Sequence, residues 1–170
     1  MQSYDEFSRY YQEHMPQVFG FVFMRTNQNR SLAEDIVSEI FLKALENFEQ
    51  YSAEKGSFKS WIFQITKNYL IDHFRAKKNQ PSASIDDLAN QLHDGSDTGK
   101  KAQLAIEKEI ITQAVNELPE EKKELVILRY FSGYSYEEIS EIINDNPNNT
   151  RVKLHRILQE LKRKLAKLNQ

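Results

Sequence analysis

The sequence predicts an all-α chain: two small helical domains joined by a flexible linker, the second ending in a helix–turn–helix. Three observations carry that expectation. Glycine and proline are scarce, five and four in 170 residues, while Lys, Glu, Leu, Ile, Asn and Ala are plentiful, a balance that favours helices over turn-rich sheets. Apolar residues recur at helical spacing in successive runs on both sides of a central gap. In that gap, residues 79–102, the periodicity stops and Pro81, Gly95 and Gly99 appear among Ser, Asn and Asp, which is linker composition.

The first helix is expected to begin with a capping box, Ser3 with Glu6. Pro16 lacks the backbone N–H that a helix interior needs, so a break or kink is expected near His14–Pro16, with a second helix through about Met24. Ser31 and Glu34 repeat the capping box and are expected to open a helix to about Phe48, with Ile36, Ile40, Phe41, Ala44, Leu45 and Phe48 at helical spacing. Residues 51–56 read as a loop. Ser57 starts the next helix, whose apolar face is Phe58, Trp61, Ile62, Ile65 and Tyr69, with Lys59, Lys67, Asn68, Arg75, Lys77 and Lys78 on the other face. Trp61 lies among Phe58 and Ile65 and is expected in the core rather than against a base. Residues 1–78 thus form one helical unit.

Inside the linker a short helix at Ser84–Leu92 is expected, since Ser84 and Asp87 suit its cap. The second unit, residues 103–170, starts with a helix to Leu118. Pro119 opens the next one at the tolerated first position, with Leu125, Val126, Leu128 and Phe131 inward. After a Ser-Gly-Tyr turn, Ser135 and Glu138 form a third capping box, ahead of Ile139, Ile142 and Ile143. Asn144-Asp145-Asn146 makes a polar turn, with Asn146 as N-cap and Pro147 as first residue of the last helix. Its inward stripe is Thr150, Leu154, Ile157, Leu158, Leu161 and Leu165. Arg151, Val152, His155 and Arg156 face outward near its N-terminal half.

Short helix, tight turn, long basic helix is the pattern that places its second helix in the DNA major groove. The net charge of −2 hides how charge is distributed. Residues 1–78 hold ten basic and ten acidic side chains, and residues 119–149 hold three and seven. Residues 150–170 hold seven and one, net +6. Local charge, not the total, sets affinity for phosphates, and arginine on such a helix can also bond guanine bidentately.

No catalytic or metal site is expected. The four histidines are scattered over separate elements, no HExxH or phosphate-loop pattern occurs, and adjacent Glu137 and Glu138 point apart on a helix. There is no cysteine for a disulfide, thiolate site or nucleophile. The expected cofactor content is therefore none. Without an apolar leader or a stretch long enough to span a bilayer, a cytoplasmic protein with no membrane insertion is expected.

In this order and spacing the segments resemble the sigma factors of RNA polymerase in the sigma-70 family, specifically the short two-domain extracytoplasmic-function (ECF) class. Ala33 to Ala44 resembles that class's polymerase-binding helix. Phe58 to Ile65, with Asn68, Asp72 and Arg75, resembles its −10-element helix. Leu118-Pro119-Glu120, Leu128 to Phe131, Gly133, Ser135 to Ile139 and Leu154-His155-Arg156 resemble its −35-reading domain.

The resemblance implies roles. Residues 1–78 would be region 2, binding core polymerase and reading the −10 element, and residues 103–170 would be region 4. Asp35, Glu39, Phe41 and Lys43 would dock on the β′ clamp helices, and the β flap would be a further contact. Asp35 and Glu39, four apart, share a helix face. Tyr51, Lys55, Gly56, Ser57, Lys59, Asn68, Asp72 and Arg75 would meet the melted −10 strand, whose Watson–Crick edges become readable once unpaired. Asn148, Asn149, Arg151, Val152, Lys153, His155 and Arg156 would read the −35 duplex. Promoter DNA is thus the second partner after core polymerase, and an anti-sigma factor is a third that the class admits.

The turn departs from the class at Asn144, Asp145 and Thr150. Asparagine tolerates left-handed backbone, so Asn144 can make the turn, whereas Asp145 and Thr150 are expected to loosen the recognition helix. The alternative is a stand-alone helix–turn–helix regulator of duplex operators, which has no need of the 31–78 constellation or the acidic linker.

Overall fold

The computed structural model describes residues 4–78 and 100–168, and every element in them is helical. In chain order these are α1 (Tyr4–Arg25), α2 (Arg30–Glu46), a 3-10 turn (Phe48–Gln50), α3 (Phe58–Lys78), α4 (Lys100–Asn116), α5 (Glu120–Tyr130), α6 (Tyr136–Ile143) and α7 (Pro147–Leu168). The capping box at Ser3 and the expected helix at Ser84–Leu92 lie outside the described residues.

α1 runs unbroken through Pro16, against the expected break. The missing N–H leaves only the Gln12 carbonyl without its helical donor, and Gln12 is exposed, so water can serve it. Phe7 and His14 before the proline, and Val18, Phe21 and Val22 after it, are all buried, so packing on both sides holds the helix together. α2 also corrects the expectation. Its cap is Asn29, whose side chain accepts from the Leu32 N–H at 3.0 Å, two residues before Ser31. α3 begins where Ser57 suggested: the Ser57 carbonyl accepts from Trp61 N at 3.1 Å.

The first half packs α1, α2 and α3 on one another around Val18, Val22, Ile36, Ile40, Ala44 and Ile62. An aromatic cluster closes one end. Tyr10 stacks on Phe58 with centroids 4.3 Å apart, and Phe48, Tyr51 and Trp61 surround the same ring. Trp61 is partly buried there, as its spacing predicted.

In the second half α7 lies against α4, α5 and α6. Val115, Leu118, Ile127, Leu128, Ile139, Leu154, Ile157 and Leu161 are among its buried residues. α4 begins at Lys100, three residues before the expected Gln103. Pro119 is the cap of α5 rather than its first residue. The halves are not apart: α1 meets α5, α3 meets α6, and the buried apolar residues form one continuous cluster.

Candidate nucleic-acid interface

The helix–turn–helix is built from caps outward. Ser135 Oγ accepts from Glu138 N at 3.1 Å, and Glu138 Oε2 accepts from Ser135 N at 2.8 Å, so the capping box is complete. Gly133, at φ +80°, makes the preceding turn where a side chain would be strained. Asn144 ends α6 in the left-handed region, φ 53° and ψ 53°. Asn146 Oδ1 then accepts from Asn148 N at 2.8 Å and starts α7 at Pro147.

Thr150 and Asp145 do not loosen this arrangement. Thr150 is fully buried, and its hydroxyl donates to the Asn146 carbonyl at 3.1 Å, so the polar atom is satisfied. The Asp145 carboxylate accepts from Lys153 Nζ at 2.6 Å, Asn146 N at 2.7 Å and Asn149 Nδ2 at 3.3 Å. Those donors, Lys153 first, pull its pKa down to about 2. Asp145 therefore fixes Lys153 and Asn149 on the outward face, a role the sequence reading missed.

Asn148, Asn149, Arg151, Val152, Lys153, His155 and Arg156 are all exposed along the first turns of α7, on one side of a helix whose other side is buried. The Arg151 guanidinium lies 5.1 Å from the Tyr136 ring, and Arg129 lies 4.7 Å from the same ring. Tyr136 thus orients an arginine by cation–π contact. An aromatic residue opening the first helix of the motif was the only signal for it.

The surface expected to read the −10 strand is divided. Lys55, Gly56, Ser57, Asn68, Asp72 and Arg75 are exposed. Asn68 accepts from Gln64 Nε2 at 3.0 Å, and Arg75 approaches Asp72 at 3.7 Å, i to i+3 along α3. Tyr51 departs from the expectation: it is buried in the aromatic cluster, and burial first, then Tyr10, pushes its hydroxyl up to about 12. It supports the loop from beneath instead of facing solvent. Lys59 is only 15% exposed, because its ammonium pairs with Glu138 at 2.9 Å and Glu141 at 3.7 Å on α6.

On α2, Asp35, Glu39 and Lys43 are exposed, and Lys43 lies 4.9 Å from the Tyr69 ring. Phe41 is corrected: it is buried with its ring 4.8 Å from Tyr11, so it anchors α2 from the inside. The exposed apolar residue of this face is Leu42, three residues after Glu39, which the sequence reading passed over.

Among the described residues no cluster of His, Asp or Glu has the arrangement to hold a metal ion, and no helix is long and apolar enough to cross a membrane.

Residues 10–80 match the family described as sigma-70 region 2, and residues 108–161 match sigma-70 region 4. The chain is 34% identical over 152 residues to the ECF RNA polymerase sigma factor SigM of Bacillus subtilis, spanning 89% of this chain and 90% of that protein. It is 30% identical over 149 residues to the ECF RNA polymerase sigma-E factor of Haemophilus influenzae, spanning 82% and 78%. Among solved structures, CnrH in complex with the cytosolic domain of CnrY superposes with a TM-score of 0.65 at 15% identity, over 96% of this chain and 90% of that one, a likeness of fold. With the capped helix–turn–helix in place and both regions matched in order, the chain belongs to the ECF class of RNA polymerase sigma factors.

Proposed function

We propose that residues 1–78 dock on core polymerase and read the melted −10 strand, that residues 79–102 link, and that residues 103–170 read the −35 duplex. As a sigma factor the chain directs promoter-specific initiation by RNA polymerase, and core enzyme and promoter DNA are its partners. It catalyses no reaction itself and works in the cytoplasm beside the polymerase. The observation that carries the −35 assignment is the exposed row Asn148, Asn149, Arg151, Val152, Lys153, His155 and Arg156 on α7, which Asn146 caps, behind an α6 that starts with a complete capping box. The docking face is Asp35 and Glu39, with Leu42 and Lys43 beside them. Lys55, Gly56, Ser57, Lys59, Asn68, Asp72 and Arg75 face the −10 strand. The solved sigma factor RpoE of Bartonella quintana is in complex with the anti-sigma factor NepR, and by that kinship an anti-sigma factor is a further proposed partner of this chain.

The test is run-off transcription with purified core polymerase, with and without this chain. Promoter-dependent transcripts are expected only with both. A second arm replaces Asp35 and Glu39 with lysine: like charges repel a basic partner, so co-purification with core should be lost while helical content is kept. Undiminished binding by that variant would remove the docking assignment.

A further inference from the structure

We infer that Asp145 is a specificity-determining residue of the −35 surface: it turns Lys153 from a phosphate grip into a donor to a guanine edge. The inference rests on the −35 assignment above and names the base chemistry that one side chain of that row reads. Among the described residues Lys153 is the one basic member of the row whose charge is paired with a carboxylate. Its Nζ donates to Asp145 Oδ2 at 2.6 Å, and the lysine side chain stays 54% exposed while the aspartate is 19% exposed. The carboxylate thus lies beneath an ammonium that faces solvent.

The turn builds this pair. Asn144, in the left-handed region, lets the Asp145 N–H donate back to the Ser140 carbonyl at 2.9 Å. Asp145 Oδ1 accepts from Asn146 N at 2.7 Å and from Asn149 Nδ2 at 3.3 Å, which leaves Oδ2 for the lysine eight residues on. Asn149 and Lys153, four apart, share the face of α7 that the carboxylate overlooks. Their sequence neighbours Thr150 and Leu154 are fully buried, so α7 cannot roll and carry the pair away. With its pKa pulled down to about 2, the carboxylate is ionised at neutral pH. Asp145 is also a position at which this chain departs from its class, so the arrangement is its own.

A free lysine is a strongly hydrated point charge on a flexible stem, and the backbone phosphates are its default target on DNA. Asp145 changes both properties. The pair carries no net charge, and a phosphate brought to Lys153 would also approach the Asp145 carboxylate. The stem is fixed, and of three ammonium protons two remain to donate. Uncharged acceptors lying side by side on one base edge fit that arrangement, and in the major groove guanine O6 and N7 are such a pair. Phosphate contacts set position and base contacts set sequence, so the pairing moves Lys153 from the first task to the second. Arg151 and Arg156, without a carboxylate partner among the described residues, keep their full charge.

Two measurements on the holoenzyme test this: selection from a pool of promoter duplexes randomised across the −35 element, and the salt dependence of binding to a promoter-free duplex. The parent should select a G·C pair at one position that Lys153→Gln no longer selects. Asp145→Asn keeps an acceptor for the Asn146 N–H, so helical content should be unchanged. It should nonetheless lower discrimination at that same position by at least about fivefold, the low end for a bidentate contact. On the promoter-free duplex the same variant should show a salt slope steeper by about 0.9, one more phosphate neutralised. A steeper slope with selection intact would make Asp145 a charge neutraliser only and overturn the inference. Selection lost at a different position, or a Lys153→Gln chain that selects like the parent, overturns it too. So does a loss of helical content in Asp145→Asn that weakens selection evenly at every position, since the role would then be structural. If the parent holoenzyme selects no −35 sequence at all, the −35 assignment fails and takes the inference with it. Selection by the parent that Asp145→Asn leaves unchanged sinks the inference alone.

Discussion

The two surfaces proposed to face DNA are prepared differently. On α7 every expected reader is exposed, and two are already oriented, Arg151 by the Tyr136 ring and Lys153 by Asp145. On α3 and the loop before it, Lys59 and Ser57 are engaged by α6, while Asn68, Asp72 and Arg75 stand clear. A local motif organises the first surface, because caps and turn residues lie within a few positions of the side chains they aim. Tertiary contact governs the second, because its partners come from roughly eighty residues further along the chain. Substitutions on the first should act simply, and those on the second should have two opposed effects.

Arg151→Ala gives the largest expected effect on DNA. If the guanidinium contacts a base, specific binding of the holoenzyme should fall by about 1–3 kcal/mol, with discrimination lost at one position of the −35 element. A phosphate contact would instead weaken all sequences evenly and flatten the salt dependence. Binding to promoter variants at several salt concentrations distinguishes them, and an unchanged profile would mean that Arg151 faces away from DNA. Lys59→Ala should do less, since it removes a proposed −10 contact and also the ion pairs with Glu138 and Glu141 that compete with it. A loss as large as that of Arg151→Ala would show that the pairing of Lys59 with Glu138 and Glu141 does not compete with DNA.

Next in size is the cap. Ser135→Ala removes the acceptor for Glu138 N and should cost about 1 kcal/mol of stability, read by chemical denaturation. Ser57→Ala should cost less, because Ser57 Oγ meets Ser60 N at a long 3.3 Å on an exposed helix start. Equal losses would show that the two helix starts are held alike after all.

What was legible in the sequence follows the same division. The helix–turn–helix could be read almost residue by residue: Ser135, Glu138, Asn144, Asn146 and Pro147 each occupy the expected position, since each acts over three residues or fewer. Pro16 misled because its cost is local, whereas the burial of Phe7, His14, Val18, Phe21 and Val22 that outweighs it is distributed. Asn29 was missed in favour of Ser31, a competition between neighbouring caps that only the packing of α2 settles. Helical spacing put Phe41 in the apolar row of α2, where it lies, and it was the family resemblance that moved it to a contact surface; Tyr51 sits in a loop, where periodicity says nothing of burial. The fit of Gly20 against Phe131 joins positions far apart in sequence and leaves no local trace.

Acid titration offers the smallest but most discriminating comparison. His14 is buried in the first half, stacked on Phe58 at 5.4 Å. Burial lowers its pKa below 6.5; Glu13 opposes this, Lys59 on α3 reinforces it and Glu138 on α6 opposes it again. Well above pH 6.5 the imidazole is neutral both folded and unfolded, so stability does not change with pH on its account. Below 6.5 the unfolded chain takes up the proton first, so stability falls with acidification until the folded-state pKa is passed. Asp145 behaves differently. Its pKa is lowered from 3.8 to about 2, so its contribution is complete above 3.8 and is lost only as pH falls from 3.8 through 2. Between pH 6.5 and 4, then, acid should weaken the first half through His14 while the Asp145–Lys153 pair on the recognition helix stays intact. Denaturation followed across that range should show a loss of stability in the parent chain and a flatter profile in His14→Gln, with Asp145→Asn tracking the parent. A slope that survives His14→Gln would assign the titration to other groups and remove the pH contrast between the two halves.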